Sequence, residues 1–475
     1  MTTTLKPDIC VIGGGSGGLV VASAAAAFGV SVLLVEKGKM GGDCLNYGCV
    51  PSKAIIAAGK HAKAIADAPK FGVSAGEAKI SFPKVNQHIH SVIDTIAPMD
   101  SQERFESLGV TVLREHARFV DKSTVQAGDT VIKARRYVVA TGSSAFVPPI
   151  PGLDSVPYET NESLFERTRS PGHLIVIGGG PIGLEMAQAH KRLGAKVTVV
   201  EGDKALGKDD PELAQIVLDR LRDEDISILE GTKVTSVAGL DRDRVRVNVE
   251  HANGSDSIDG DTLLVATGRA ATVDGLDLEK AGIEYTRRGI KVTKKMRSTN
   301  RRVYAVGDVA GSLQFTHVAG YHAGLVVRAL LFRLPAKENT HIIPWCTYTD
   351  PELAHVGETE ASARKKYKDL TILRWPYAEN DRSQADGKTD GLIKIMARKN
   401  GLIVGVSIAG AMAGEMMNMW ALAVSQKLKV RDIAGYVPPY PTVSEIGKRA
   451  ATSFYAPVPK KPFIRSVVRF LQNFG

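Results

Sequence analysis

The residues best suited to chemistry are Cys44 and Cys49, separated by four residues and followed directly by Val50-Pro51-Ser52-Lys53. Such a pair is either half of a metal site or a reversible disulfide. A tetrahedral zinc site needs ligands that the spacing does not supply: there is no second cysteine pair, and the last of the 11 histidines is His355. No metal site is therefore expected. Pro51 predicts a helix over Val50 to Lys60, which sets Cys49 at a positively polarised helix N-terminus where a thiolate is stabilised. The other two cysteines, Cys10 inside an apolar strand and Cys346 after Trp345, read as packed thiols.

A redox pair needs an electron carrier, and the sequence offers two places to hold one. Ile9 to Val35 runs 27 residues without a charge, long enough for a membrane span, but six glycines break it into strand, turn, Ala-rich helix and strand. A buried βαβ unit is the better reading. Its turn carries Gly13, Gly15 and Gly18, and its second strand ends at Glu36. The pattern returns with the strand Leu174 to Ile177, a turn carrying Gly178, Gly180, Ile182 and Gly183, a helix over Leu184 to Leu193, and a strand Lys196 to Val200 ending at Glu201. In each copy the acid follows the first glycine by 23 positions. One such fingerprint is weak evidence; two, each between a strand and a helix, point to two dinucleotide sites. The glycines let the backbone approach a pyrophosphate at a helix N-terminus, and the acid accepts from ribose hydroxyls. Glu201 would repel a 2'-phosphate, and Gly202 to Lys208 contain no arginine to grip one, so NADH is expected over NADPH.

Further elements complete the layout. Tyr137 to Gly142 and Leu263 to Arg269 are apolar strands that each run into Ala-Thr-Gly, closing one dinucleotide domain apiece, with the Pro-rich stretch Val147 to Gly152 as linker. Val303 to Asp308 is another strand with an acid at its carboxyl end, where ligands of open α/β sheets bind. From Ile342 onward, the strands Leu392 to Ala397 and Ile403 to Ile408 precede a helix over Ala413 to Lys427, which reads as a separate α+β domain. The composition agrees: 475 residues suit about three domains, and 44% hydrophobic with 24% charged excludes collagen-like, disordered and disulfide-scaffold classes. The 47 glycines exceed the usual ~7%. The net charge of +10, without a local basic cluster in the body of the chain, does not argue for nucleic acid. Met1 to Asp8 is too short for a secretory leader, so the cytoplasm is the expected compartment.

Gly41-Gly42-Asp43-Cys44-Leu45-Asn46-Tyr47-Gly48-Cys49-Val50-Pro51-Ser52-Lys53, the two glycine fingerprints, Tyr304 to Asp308 and Phe315-Thr316-His317-Val318-Ala319 together resemble the flavoprotein disulfide reductases. That family includes dihydrolipoamide dehydrogenase, glutathione reductase and mercuric reductase. The resemblance spans residues 8 to 455, and Leu45-Asn46 with Pro51-Ser52-Lys53 resembles dihydrolipoamide dehydrogenase more than glutathione reductase. It implies an α/β fold of two Rossmann-like dinucleotide-binding domains plus a C-terminal α+β dimerisation domain, in a homodimer that uses FAD and NAD on a lipoyl-like thiol or disulfide. The implied boundaries are 1–150 for FAD binding, 151–275 for NAD binding, 276–341 for a return to the flavin domain, 342–455 for dimerisation, and 456–475 for a tail. Gly13, Gly15, Gly18, Glu36, Lys53, Thr141, Gly142, Asp308, Thr316 and His317 resemble FAD contacts. Gly178, Gly180, Ile182, Gly183, Glu201, Gly268 and Arg269 resemble the NAD site. Cys49 would be the charge-transfer thiol and Cys44 the exchanging one. Lys53 and Glu185 resemble an ion pair beside the flavin, with helix-surface charge as the plainer reading.

The sequence also departs from this pattern. The family places a histidine before Pro-Thr-x-x-Glu as the proton shuttle, reaching across the dimer, whereas here the segment is Pro439-Tyr440-Pro441-Thr442-Val443-Ser444-Glu445. A phenol with pKa about 10 donates a hydrogen bond but is a poor base, while an imidazole near about 6.5 does both. Three outcomes stay open. Tyr440 or Glu445 serves a slower or more acidic thiol; or electrons go to a quinone, dye or metal ion that needs no base; or the protein is a low-turnover flavin sensor or assembly subunit. Mercury reduction is disfavoured on the missing C-terminal cysteine pair and N-terminal metal-binding domain. Arg269-Ala270-Ala271-Thr272 stands where the family usually carries Arg-x-Pro-Asn, and Tyr47 between the cysteines is expected to narrow access to Cys44.

Beyond the resemblance, Phe463, Ile464, Val467, Val468, Leu471 and Phe474 recur at helical spacing among Lys460, Lys461, Arg465 and Arg469, with no acid in residues 456–475. A basic amphipathic helix of this kind packs on its own dimer, docks on a partner, or lies on a membrane surface at the inner face.

Overall fold

A computed structural model describes residues 3–241 and 244–474, so Gly475 of the tail lies outside the described residues. The chain divides into two compact units: Met1–Gly202 with Leu229–Thr340, and Asp203–Ile228 with His341–Gly475.

The first unit holds two parallel sheets. In one, the strands run in the order Val303–Ala305, Arg136–Val139, Ile9–Ile12, Val32–Val35 and Val110–Leu113. Its central strands are wholly apolar because both faces are covered. Val303–Ala305 arrives from beyond the second fingerprint, so the chain returns to this sheet as its outer strand. The other parallel set aligns Thr262–Val265, His173–Ile177 and Lys196–Val200, with Leu174 opposite Thr262 and His173 opposite Lys196. An antiparallel ribbon, Arg269–Ala271 against Ser143–Ala145, joins the ends of the two Ala-Thr-Gly strands.

In the second unit five antiparallel strands, Pro344–Thr347, Glu352–Gly357, Ile403–Gly410, Leu392–Arg398 and Leu370–Pro376, back onto the helices Ala413–Ser425 and Glu445–Ser453. Gly447 lets the latter helix sit on the Trp420 ring, since a Cβ there would lie 2.7 Å from it. Buried Lys394 is satisfied by Asp210 at 2.7 Å, Glu212 at 2.6 Å and Glu360 at 3.0 Å.

Three helices differ from their expected bounds. The cysteine helix runs Cys49–Asp67, because Pro51 is tolerated in a first turn that Cys49 itself opens and apolar Ile55, Ile56 and Ala62 keep its buried stripe going. The helix after the second fingerprint spans Pro181–Arg192, starting early because a proline without an N–H suits that end. The helix from Ala413 stops at Ser425, where Lys427 takes φ 56 and the chain turns out of the helix.

Candidate redox and cofactor site

The cysteines are positioned by the first glycine fingerprint. Cys44 lies on the short helix Gly42–Asn46, and Gly42, at φ 62, passes so close that a Cβ would fall 2.7 Å from Gly15 Cα. The Gly41 amide donates to Gly14 O at 2.9 Å. Asn46 closes the turn by donating to the carbonyls of Met40 (3.0 Å) and Gly42 (2.8 Å).

The two thiols have opposite acidities. Cys49 is drawn down to about 6, first by a hydrogen bond from Cys44, then by Thr316 and the Lys53 charge, all against burial, which pushes it up. Cys44 is pushed well above the usual thiol range by that same bond to Cys49 and by burial. Near neutral pH the reduced pair is thus a Cys49 thiolate held by a protonated Cys44. The Cys49 Sγ lies 3.3 Å from Thr316 Oγ1, at the start of the helix Thr316–Leu331. Lys53, one turn along from Cys49, meets Glu185 Oε2 at 2.8 Å, and Glu185 is only 5% exposed. This pair joins the cysteine helix to Pro181–Arg192, and the two helices pass closely at Gly59, where a Cβ would lie 3.3 Å from Ala189 O. Glu185 is therefore a buried partner, while the Lys53 side chain stays 39% exposed.

The two fingerprints are geometric twins. Gly13, at φ 110, and Gly178, at φ 115, would each place a Cβ 2.4 Å from a carbonyl, of Ala140 and Ala266 respectively. Gly18 and Gly183 would place theirs 1.9 Å and 2.0 Å from the carbonyls of Gly13 and Gly178. Those four glycines are demanded by packing. At Gly15 and Gly180, which cap the helices, a Cβ would meet only Gly42 Cα at 3.7 Å in the first case and nothing within 4 Å in the second. Each helix N-terminus thus faces open space with no side-chain cap, the setting that suits a pyrophosphate. Glu36 accepts from the Gly14 and Gly38 amides, and Glu201 accepts from the Gly179 amide at 2.7 Å, so each acid is held beside its own turn. These residues fit two dinucleotides.

Asp308 accepts from Ser143 Oγ, and burial raises its carboxyl above the usual range. His317 stacks on Phe315 at 5.3 Å. Thr141 donates to Thr272 O at 2.7 Å, while Gly142, at φ 68, and Gly268, at φ 130, would meet nothing with a Cβ. Ile182 is exposed in the first turn after Gly180. The Arg269 guanidinium donates to Ser143 Oγ (2.7 Å) and Ser143 O (2.8 Å) and meets Asp43 at 3.1 Å and Asp308 at 3.9 Å. The antiparallel ribbon that places Arg269 opposite Ala145 turns it there.

Sequence reasoning missed Ser143, and also Asn161, which holds Asp43 Oδ1 at 3.0 Å and Tyr47 O at 3.1 Å. It also missed a cavity of about 370 Å³ beside Cys44 and Thr316, walled by Leu19, Val20, Leu45 and Phe105 with Asp100 and Arg104. Asp43 inside the Gly-Gly-Asp-Cys motif was the available signal for the first network; the short helix Gln102–Ser107 gave none for the cavity.

The Pro439 to Glu445 segment is built differently. Tyr440 is 70% exposed, and its hydroxyl donates to Asp381 Oδ2 at 3.0 Å, which raises the phenol further above its usual range. Glu445 opens the helix Glu445–Ser453; its Oε1 accepts from Arg449 at 3.1 Å, and its buried Oε2 has no hydrogen-bond partner among the described residues. Tyr440 is therefore bonded to Asp381 and not to Glu445.

Comparison with known proteins places this geometry. The family profile "Pyridine nucleotide-disulphide oxidoreductase" matches residues 7–323, and that family's dimerisation-domain profile matches residues 343–451. A mercuric reductase of Bacillus cereus is 32% identical over 95% of this chain and 72% of its own length. A dihydrolipoyl dehydrogenase of Bacillus subtilis is 32% identical over 94% of this chain and 96% of its own. Among solved structures, the HOCl-induced flavoprotein disulfide reductase RclA of Escherichia coli superposes with a TM-score of 0.84 at 26% identity, covering 94% of this chain and 99% of that one. A Cu(II) complex of the same reductase gives 0.83.

Proposed function

The chain belongs to the pyridine nucleotide-disulphide oxidoreductase family, oxidoreductases that use FAD and NAD(P)H, and on that premise we propose a homodimeric, NADH-dependent disulfide oxidoreductase acting on a small, lipoyl-like thiol or disulfide in the cytoplasm. The observation that carries this reading is Cys49 at the start of its helix with Sγ 3.3 Å from Thr316 Oγ1 and Lys53 one turn along, bonded to Glu185 at 2.8 Å; the Cys49 thiol is accordingly drawn down to about 6. Residues 1–150 are assigned to FAD and 151–275 to NAD, 276–341 return to the flavin domain, and 342–455 form the dimer domain. When bound, FAD supplies a two-electron relay between the nicotinamide and the cysteine pair. Gly13, Gly15, Gly18, Glu36, Thr141, Gly142, Asp308, Thr316 and His317 would hold it, and Arg269 orients Asp308 and Asp43. Gly178, Gly180, Ile182, Gly183, Glu201 and Gly268 would hold NADH, with the Glu201 carboxylate turning away a 2'-phosphate. A kcat/KM ratio that favours NADPH more than about tenfold overturns that preference.

The thiols then act in a fixed order. As Cys44 gives up its proton, its sulfur attacks one sulfur of a substrate disulfide and that proton ends on the first departing thiol; the Cys49 thiolate then attacks Cys44 Sγ, expels the second sulfur as a thiolate that takes a proton from solvent, and closes the protein disulfide. Two electrons leave the pair, the Cys44 proton and one proton from solvent end on the two product thiols, and two electrons from NADH restore the dithiol. The apolar wall of the cavity beside Cys44, made by Leu19, Val20, Leu45, Val50, Ile96 and Phe105, suits an aliphatic disulfide arm. Tyr440 and Glu445 are assigned to proton supply at this step.

Tyr440 also favours a second reading. A phenol bonded to Asp381 and raised in pKa is a poor base, so a quinone, dye or metal ion that accepts electrons without proton relay is the alternative. The Cu(II) complex of the structural neighbour makes Cu(II) the first metal ion to try; Hg(II), the ion in the name of the mercuric reductases among the relatives, is the disfavoured comparison because the C-terminal cysteine pair is missing. The test is turnover of the FAD-loaded dimer with NADH and oxidised lipoamide. Lipoamide reduction abolished by Cys44→Ser supports the first reading. Inert lipoamide with brisk, Cys44-independent turnover of dye or metal supports the second, and no turnover with any acceptor favours a redox sensor.

A further inference from the structure

The helix Pro462–Leu471 buries none of its residues, yet Phe463 is 74% exposed, Phe470 61% and Phe474 73%. At about 100° per residue, the apolar side chains from Phe463 to Leu471 fill one continuous arc of roughly 160°, and Arg465 and Arg469 fall on the opposite side. Lys460 and Lys461 precede the helix, and residues 456–475 contain no acid. No helix among the described residues is long and apolar enough to cross a membrane. We propose that this helix seats the protein on the surface of an anionic phospholipid bilayer, with its phenylalanines among the acyl chains and its four cations at the phosphates.

Charge decides between this occupant and a second copy of the tail. Two tails packed together would cover a narrow seam, leave Ile464, Val468 and Leu471 outside it, and bring two sets of four cations together with no acid between them. A bilayer surface covers the whole arc and supplies the missing anions. Because the arc is wide and aromatic while the charge is moderate, binding requires both features. The proposal does not rest on the redox reading, and its failure leaves that reading untouched.

The experiment is co-sedimentation of the FAD-loaded full chain with vesicles of phosphatidylcholine containing about one-third phosphatidylglycerol, and with pure phosphatidylcholine. Three proteins are compared: the full chain, a chain lacking residues 456–475, and F463S/F470S. NADH-dye turnover checks that all three are folded, and light scattering reports their mass. The expected result is binding of the full chain to the anionic vesicles, at least about tenfold weaker binding of both variants, and loss of binding in high salt, with turnover and mass unchanged. Equal sedimentation of the full and truncated chains overturns the proposal. So does absence of vesicle binding, whether the truncated chain loses mass, which assigns the face to a second copy, or keeps it, which leaves a protein partner.

Discussion

The cysteine pair and the Pro439 to Glu445 segment handle protons in opposite ways. At Cys49 the Cys44 thiol, the Thr316 hydroxyl and the Lys53 charge all favour the anion, and together they outweigh burial. At Tyr440 the nearest group is the Asp381 carboxylate, which favours the neutral phenol and holds its proton in place. One region is tuned to lose a proton at neutral pH and the other to keep one. A pair of this kind transfers electrons readily but returns protons to its substrate slowly, so the proton step sets the rate.

The largest test removes the pair. Cys44→Ser and Cys49→Ser should each lower NADH-dependent lipoamide reduction by ~10³-fold or more, read as kcat/KM, while dye reduction survives. Next, Tyr440→His should restore a base to the slower region and raise lipoamide turnover by ~10²-fold with a new pH optimum near neutrality. No gain would mean that proton supply is not limiting. Smaller is the effect of Lys53→Met, which removes a nearby positive charge that favours the Cys49 thiolate. The pH at which Cys49 becomes reactive to iodoacetamide should rise by about one unit.

Stability carries the same sign. The folded Cys49 thiol ionises at about 6, below its usual value of 9.0, so the reduced protein gains stability as pH rises from about 6 toward 9 and loses it as pH falls through 6. The difference in Tm between the reduced protein and Cys49→Ser should widen over that interval; a constant difference argues against a thiolate. Smallest of all, Asp381→Asn should return the Tyr440 phenol toward its usual value and change lipoamide turnover only a few-fold.

What the sequence revealed followed the range of the forces involved. The twin fingerprints were legible because each glycine answers to a backbone atom within a few residues or on the adjacent strand, as Gly18 does to Gly13 and Gly183 to Gly178. Cys49 at a helix start was legible through Pro51, although the helix begins at the cysteine itself. Lys53 and Glu185, 132 positions apart, came only through family resemblance, since no local pattern joins two helices. The bonds of Arg269 to Ser143 were not legible, because they depend on a ribbon formed with Ser143–Ala145. Asp381, the partner that decides the chemistry of Tyr440, lies 59 positions away, and the cavity beside Cys44 draws on a helix that no motif marks.

The most direct measurement is a count of reactive thiols in the FAD-loaded protein, oxidised beforehand and then reduced anaerobically with one equivalent of NADH. A working Cys44–Cys49 centre predicts two additional thiols per chain, accompanied by a long-wavelength absorption from the Cys49 thiolate that vanishes as pH falls through about 6. A bleached flavin with no new thiols and no such absorption would contradict it.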